Sequence, residues 1–132
     1  MKVDIENRDD VRLLVHTFYE RIRADVYLGP IFNKHVGDWP HHLEHLTDFW
    51  EGNLFLKQIF KGRPLQKHFQ VDRAEGYTIS EQHFGVWLNH WVQTVDDLYE
   101  GERAENAKFK ARKIGTFFLV SLFKAKPENR MP

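Results

Sequence analysis

An all-α fold follows from two features of this 132-residue chain. Apolar residues recur three or four positions apart over four long segments, the spacing that gathers them on one face of a helix. No run of alternating apolar and polar residues competes with that period, and no internal repeat is present. A chain of this length makes one compact domain, residues 1–132, that buries roughly two-thirds of its unfolded surface, with short flexible tails at about 1–6 and 126–132. Aromatic residues make up 14% of it, with eleven Phe and four Trp against a mean hydropathy of -0.57. Large rings therefore fill the core.

The first helix runs from about Arg8 to Asp25, with Val11, Leu14, Val15, Phe18 and Ile22 inward and Asn7 as its N-cap. Asp9 and Asp10 sit at the positive end of its dipole. Gly29-Pro30 then breaks the chain and leaves a single helical turn at Ile31-Phe32. After Gly37-Asp38, Pro40 occupies the first turn of a helix reaching about Lys57, with Leu43, Leu46, Trp50 and Leu54 as its stripe. His42, Leu46, Phe49 and Asn53 form a neighbouring line.

Gly62 and Pro64 separate that helix from a short one, in which Pro64 tolerates its missing N–H and His68 falls on the face of Leu65. The polar run from Gln70 to Gly76 reads as a loop. Ser80 caps a long helix to about Tyr99, on which Phe84, Trp87, Leu88, Trp91, Val95 and Leu98 keep the period. A last helix spans about Arg103 to Lys124 with Ala107, Ala111, Ile114, Phe118 and Leu122 inward, and a polar, frayed tail follows Lys126. A short helix and a polar loop bury little by themselves, so the segment around His68 calls for something that orders it on binding.

Several function classes are disfavoured at once. Formal charge is zero and the pI about 7.1, without the basic footprint that nucleic-acid binding needs. The absence of cysteine removes disulfides, thiolate metal sites, a thiol nucleophile and thioether-linked haem. The first residues lack the apolar run of a signal peptide and no stretch reaches the length of a membrane span, which predicts a soluble, cytoplasmic protein. Ser80 and Ser121 lie in helix contexts without a nucleophile elbow, and Asp96, Asp97, Glu100 and Glu102 read as a solvated edge.

His41-His42-Leu43-Glu44-His45 contains the inverted zinc-protease signature, two histidines and a glutamate on one turn. A zinc site at His41/His45 is thus one alternative, set against a polar helix start with its histidines in solvent. Tyr19, His42, Trp87 and His68 form the other constellation, each on a different helix and each on or beside an apolar stripe. Buried Tyr and Trp direct their polar atoms at something. A planar cofactor carrying its own ligand would satisfy all four; a cofactor-free helical interaction module, with Tyr19 and Trp87 as plain core, is the competing reading.

From about Val11 to Phe123 the sequence resembles the truncated haemoglobins, most closely group III. The resemblance rests on Phe18-Tyr19-Glu20, Leu28-Gly29-Pro30-Ile31-Phe32, His42 with Phe49-Trp50, Gly62-x-Pro64-Leu65-x-Lys67-His68 and Trp87-Leu88, in that order and spacing. It implies a truncated globin, a two-over-two helical sandwich around haem b, whose haem would be the main packing partner of the short helix. It makes His68 the proximal iron ligand and Phe32 a ring on the haem face, with Tyr19, His42 and Trp87 in the distal pocket. Leu46 would touch haem beside the ligand, Ile114 and Phe118 its rim, and Lys67, Arg73 and His45 its propionates. The extra histidines leave open whether His42 itself binds iron in the resting state.

The implied ligands are dioxygen, carbon monoxide, nitric oxide or peroxide. Tyr19 O–H and Trp87 N–H would hydrogen-bond the bound ligand, with His42 tuning access or adding a third bond. Retention of that kind suits nitric oxide oxidation or peroxide turnover, fed by a separate reductase, more than oxygen transport. The expected state is a monomer.

Overall fold

A computed structural model describes residues 2–57 and 64–129. Gly62 and Arg63 of the Gly62-x-Pro64 block, and Met1 and 130–132 of the expected tails, lie outside the described residues. The described residues form six α-helices and one 3₁₀ turn, without a strand, as the periodicity predicts. They are α1 (Arg8–Ala24), α2 (Gly29–His35), α3 (Trp39–Phe55), α4 (Pro64–Ala74), α5 (Glu81–Leu98) and α6 (Glu102–Ala125), followed by the turn Pro127–Asn129. Among them, no helix is long and apolar enough to cross a membrane.

The central helix is α1, which packs on α2, α3 and α5, while α6 packs on α5 and α4. Its start is fixed by Asn7, whose Oδ1 accepts from Asp10 N at 3.0 Å, occupying a donor that the first turn leaves unpaired. Val11, Leu14, Val15, Phe18, Tyr19 and Ile22 are all buried. The core is built of rings, as composition requires: Trp91 stacks on Trp50 at 4.3 Å and meets Phe18 edge-on at 5.0 Å. The Trp91 indole N–H donates to Ala107 O at 3.1 Å. Ala104, Ala107 and Ala111 let α6 come close enough to receive it.

Asp25 turns the chain from α1 into α2. Its Oδ1 accepts from Tyr27 N and Leu28 N at 2.8 and 2.9 Å, and its Oδ2 meets His90 Nε2 at 2.7 Å. The His90 ring, and after it the Leu28 N–H, hold the Asp25 carboxyl below its ordinary value against the opposing effect of burial. The folded value being the lower one, the stability Asp25 contributes is complete above its unfolded pKa and is lost as pH falls through the folded value. The urea-measured stability gap between wild type and Asp25→Asn should therefore close below about pH 4; a gap that persists unchanged would contradict this.

Three expectations change. Gly29-Pro30 does not leave a single turn: Pro30 sits in the first turn of the seven-residue α2, where a missing N–H costs nothing. Gly29 is required by packing, since a Cβ there would stand 2.6 Å from Arg23 O. Nor is Gln70–Gly76 a loop throughout, because α4 continues to Ala74 and only then turns, through Gly76 and Tyr77 at φ 72° and 62°. That stretch reads as polar because its anchor is polar: Asp72 is buried and accepts from Ile79 N at 3.0 Å and from Lys126 Nζ at 3.2 Å. Protein contacts therefore hold α4, so it does not depend on a cofactor alone. Finally, Asp4, Ile5 and Lys126 are tied down within the stretches expected to be tails. Ile5 is fully buried, and the Asp4 carboxylate accepts from Arg103 N and Ala104 N at the start of α6.

Candidate functional site

Tyr19 projects from the middle of α1 and is buried. Its ring lies 5.9 Å from Phe32 of α2, 5.8 Å from Trp39 and 5.7 Å from His42 of α3. Burial raises the pKa of its hydroxyl far above the ordinary tyrosine value, and the Trp87 side chain opposes that rise only in part. Tyr19 is thus a phenol at any physiological pH, able to donate.

His42 stands one turn into α3, whose start is set by Asp38 accepting from His41 N at 3.1 Å. Burial, then the neighbouring His45 and His41, push its pKa down to about 4. It is neutral, and its Nε2 is buried with no hydrogen-bond partner, the one such side-chain atom among the described residues. Leaving a buried polar atom unpaired costs about 1–3 kcal/mol, a cost a fold retains where a ligand will meet it.

On α4, His68 Nδ1 makes a 2.6 Å bond to Pro64 O, four residues back. A carbonyl only accepts, so Nδ1 carries the proton and the lone pair is left on Nε2. The ring packs on Phe118 of α6 at 4.4 Å and stacks on Phe84 of α5 at 6.2 Å. Burial depresses the His68 pKa, against the Pro64 bond, and keeps the imidazole neutral. Phe84 and Trp87 are three residues apart on α5, so one helix face runs from the His68 side to the Tyr19 side. Trp87 itself meets Phe18 edge-on at 5.7 Å.

The structure thus brings Tyr19, His42 and Phe32 into one aromatic cluster and sets Phe118 against His68. Leu46 and Ile114 are half-buried against the core. Lys67 and Arg73 stand exposed on α4, and His45 is partly exposed. The protease-like arrangement is not assembled: the His41 and His45 rings lie 6.0 Å apart, but Glu44 turns away to Arg8 and Arg12. No group of three or more ligating side chains gathers among the described residues. Trp39 and Phe84 are the contacts sequence reading missed, one because it sits at a helix start beside Pro40, the other because it read as ordinary stripe.

The class that this architecture defines is the two-over-two globin fold. The 2/2 hemoglobin from Synechococcus sp. PCC 7002 shares the fold at a TM-score of 0.71, with 20% identity over 91% of this chain and 94% of that one. Within the class, the chain resembles the group III truncated haemoglobins over nearly its whole length. The group III truncated hemoglobin from Campylobacter jejuni matches at a TM-score of 0.83 and 28% identity, covering 96% of this chain and 98% of that one. In sequence, the Group 3 truncated hemoglobin ctb of the same organism is 29% identical over 128 residues, 94% of this chain and 97% of that protein. No protein-family model matches.

Proposed function

We propose that this chain holds haem b with His68 as its iron ligand and binds a diatomic ligand or peroxide beside Tyr19, His42 and Trp87. The observation that carries this reading is a pair of neutral imidazoles prepared in different ways. His68 is fixed by Pro64 O with its lone pair on Nε2, as a metal-ligating histidine is by an outer-shell acceptor. His42 keeps a buried Nε2 without a partner, as a wall of a ligand pocket would. The residues present fit the group, and Phe32 and Phe118 supply apolar rings next to Tyr19 and His68.

Ferrous haem, when bound, would supply an iron able to take dioxygen, carbon monoxide or nitric oxide. The protein's part is to orient and to donate. Pro64 O holds the His68 ring and raises its basicity through the Nδ1 proton. Tyr19 O–H, kept protonated by burial, and the Trp87 N–H, which can only donate, offer hydrogen bonds to a ligand that gains negative charge. His42 Nε2 is the third polar atom, and it could instead reach the iron when no ligand is present. A ferrous absorption spectrum without added gas separates a five- from a six-coordinate resting state.

Strong retention of ligand suits nitric oxide oxidation or peroxide turnover over transport, and either role needs electrons from a separate reductase. Addition of haem to the purified apoprotein should give a Soret band, and a colourless product would defeat the reading. A hydrogen bond to a charged acceptor contributes about 1.5–3 kcal/mol, so Tyr19→Phe should speed dioxygen release by about 10- to 100-fold in stopped flow. An unchanged rate would remove Tyr19 from the ligand-binding role.

A further inference from the structure

Trp39, the first residue of α3, is half-buried, whereas Tyr19 behind it is buried. Its indole touches both polar members of the cluster: it is tilted against Tyr19 at 5.8 Å and edge-on to His42 at 5.5 Å. The Arg23 guanidinium lies over the same indole, 4.4 Å from the ring centroid. Tyr19 and Arg23 are four residues apart on α1, so they share a face and both reach Trp39. Arg23 is itself held by α2, donating from Nε to Asn33 Oδ1 at 3.0 Å while Asn33 Nδ2 donates to Arg23 O at 3.3 Å.

We propose that Trp39 is the door through which small ligands reach Tyr19 and His42, and that Arg23 latches it. This rests on the ligand-binding reading above and adds the residues that govern entry. The contacts that hold the indole are made by its ring, and none of them is a peptide hydrogen bond of α3. The ring can therefore leave without unwinding the helix. What resists opening is a cation–π contact at an exposed arginine, two aromatic contacts and one amide clasp, each weak. A mostly closed door passes ligand in proportion to the fraction of time it stands open, so removing a closed-state contact raises that fraction by the corresponding Boltzmann factor.

A door changes a barrier and not the bound state. Entry and escape should accelerate together, leaving affinity unchanged, whereas loss of a ligand-stabilising donor speeds escape alone. Carbon monoxide recombination after flash photolysis, with release measured by nitric oxide displacement, is the test. Arg23→Met should raise both rates by about two- to fivefold, and Trp39→Ala by about tenfold. Arg23→Lys, which keeps a cation over the ring, should stay within about twofold of wild type. Unchanged rates in Trp39→Ala, or faster release without faster entry, would overturn the proposal. If the wild type forms a Soret band with haem and the variants show no kinetic change, the door fails and the haem reading stands.

A second measurement needs no haem. Carbethoxylation of the apoprotein by diethyl pyrocarbonate, read residue by residue by peptide mass, should be slow at His42 beside exposed His41. It should speed up at His42 by about the same tenfold in Trp39→Ala. A His42 that reacts as slowly in the variant as in the wild type would also overturn the door.

Discussion

His68→Ala should fold and yet lose the ferrous carbonyl spectrum of a histidine-ligated haem. The side chain is held by one bond to Pro64 O and by ring contacts with Phe118 and Phe84, so its removal vacates the proposed ligand position without unpairing a helix. Far-UV circular dichroism of the apoprotein should stay helical. Haem affinity should fall by more than the roughly 10- to 100-fold that follows loss of an outer-shell partner of a metal-binding histidine, because here the bond itself goes. Since the variant leaves a space of imidazole size on α4, free imidazole added to it should restore the spectrum, which a variant that had merely misfolded could not do. A His68→Ala protein with an unaltered carbonyl spectrum would rule out the proximal assignment and move attention to His42.

The parts of the fold legible in the sequence are those whose stabilising contacts are apolar and periodic. In α1, α3, α5 and α6 the stripe holds, and in the first three the start signals agree with it: Asn7, Pro40 and Ser80 stand at or beside the observed caps. What could not be read depends on polar pairs far apart in the chain. The second half of α4 rests on Asp72 and Lys126, and its end is drawn to α2 by Glu75, which accepts from Lys34 Nζ at 3.0 Å and meets His35 Nε2 at 2.8 Å. Hydropathy treats such residues as solvated, so a buried carboxylate looks like a loop.

The candidate site divides in the same way. Tyr19 and His42 stand beside apolar stripes, and helical geometry carries them to one cluster. The bond that gives His68 a defined tautomer is an i, i−4 contact to the carbonyl of a proline, which residue type and spacing alone do not signal. The unpaired Nε2 of His42 is legible only from the structure, because it depends on what every neighbouring helix fails to supply.

Lys126 carries the largest expected effect on stability, from a position where the sequence suggests a frayed tail. Its ammonium bonds both Asp72 oxygens at 3.2 Å, Tyr77 O at 2.8 Å and Ile79 O at 2.9 Å. The side chain of Asp72 is only 3% exposed and that of Lys126 13%. Lys126→Met would leave that carboxylate with the Ile79 N–H as its remaining donor among the described residues, and breaking a buried pair from one side costs about 3–5 kcal/mol. Against a total of about 5–15 kcal/mol for a domain, that is a large share, and Tm should drop by about 10 °C or more. Asp72→Asn in the Lys126→Met background removes the stranded charge and should recover part of the loss, so the double variant should be more stable than Lys126→Met alone. A double variant no better than the single one would mean that the cost lies in the lysine's bonds to Tyr77 O and Ile79 O, not in the buried charge. Because Asp72 follows His68 by one turn on α4, the same variant should also weaken haem retention. Loosening the anchored end of that helix frees the segment that must hold the ring of His68 in place, so stability and cofactor affinity should fall together.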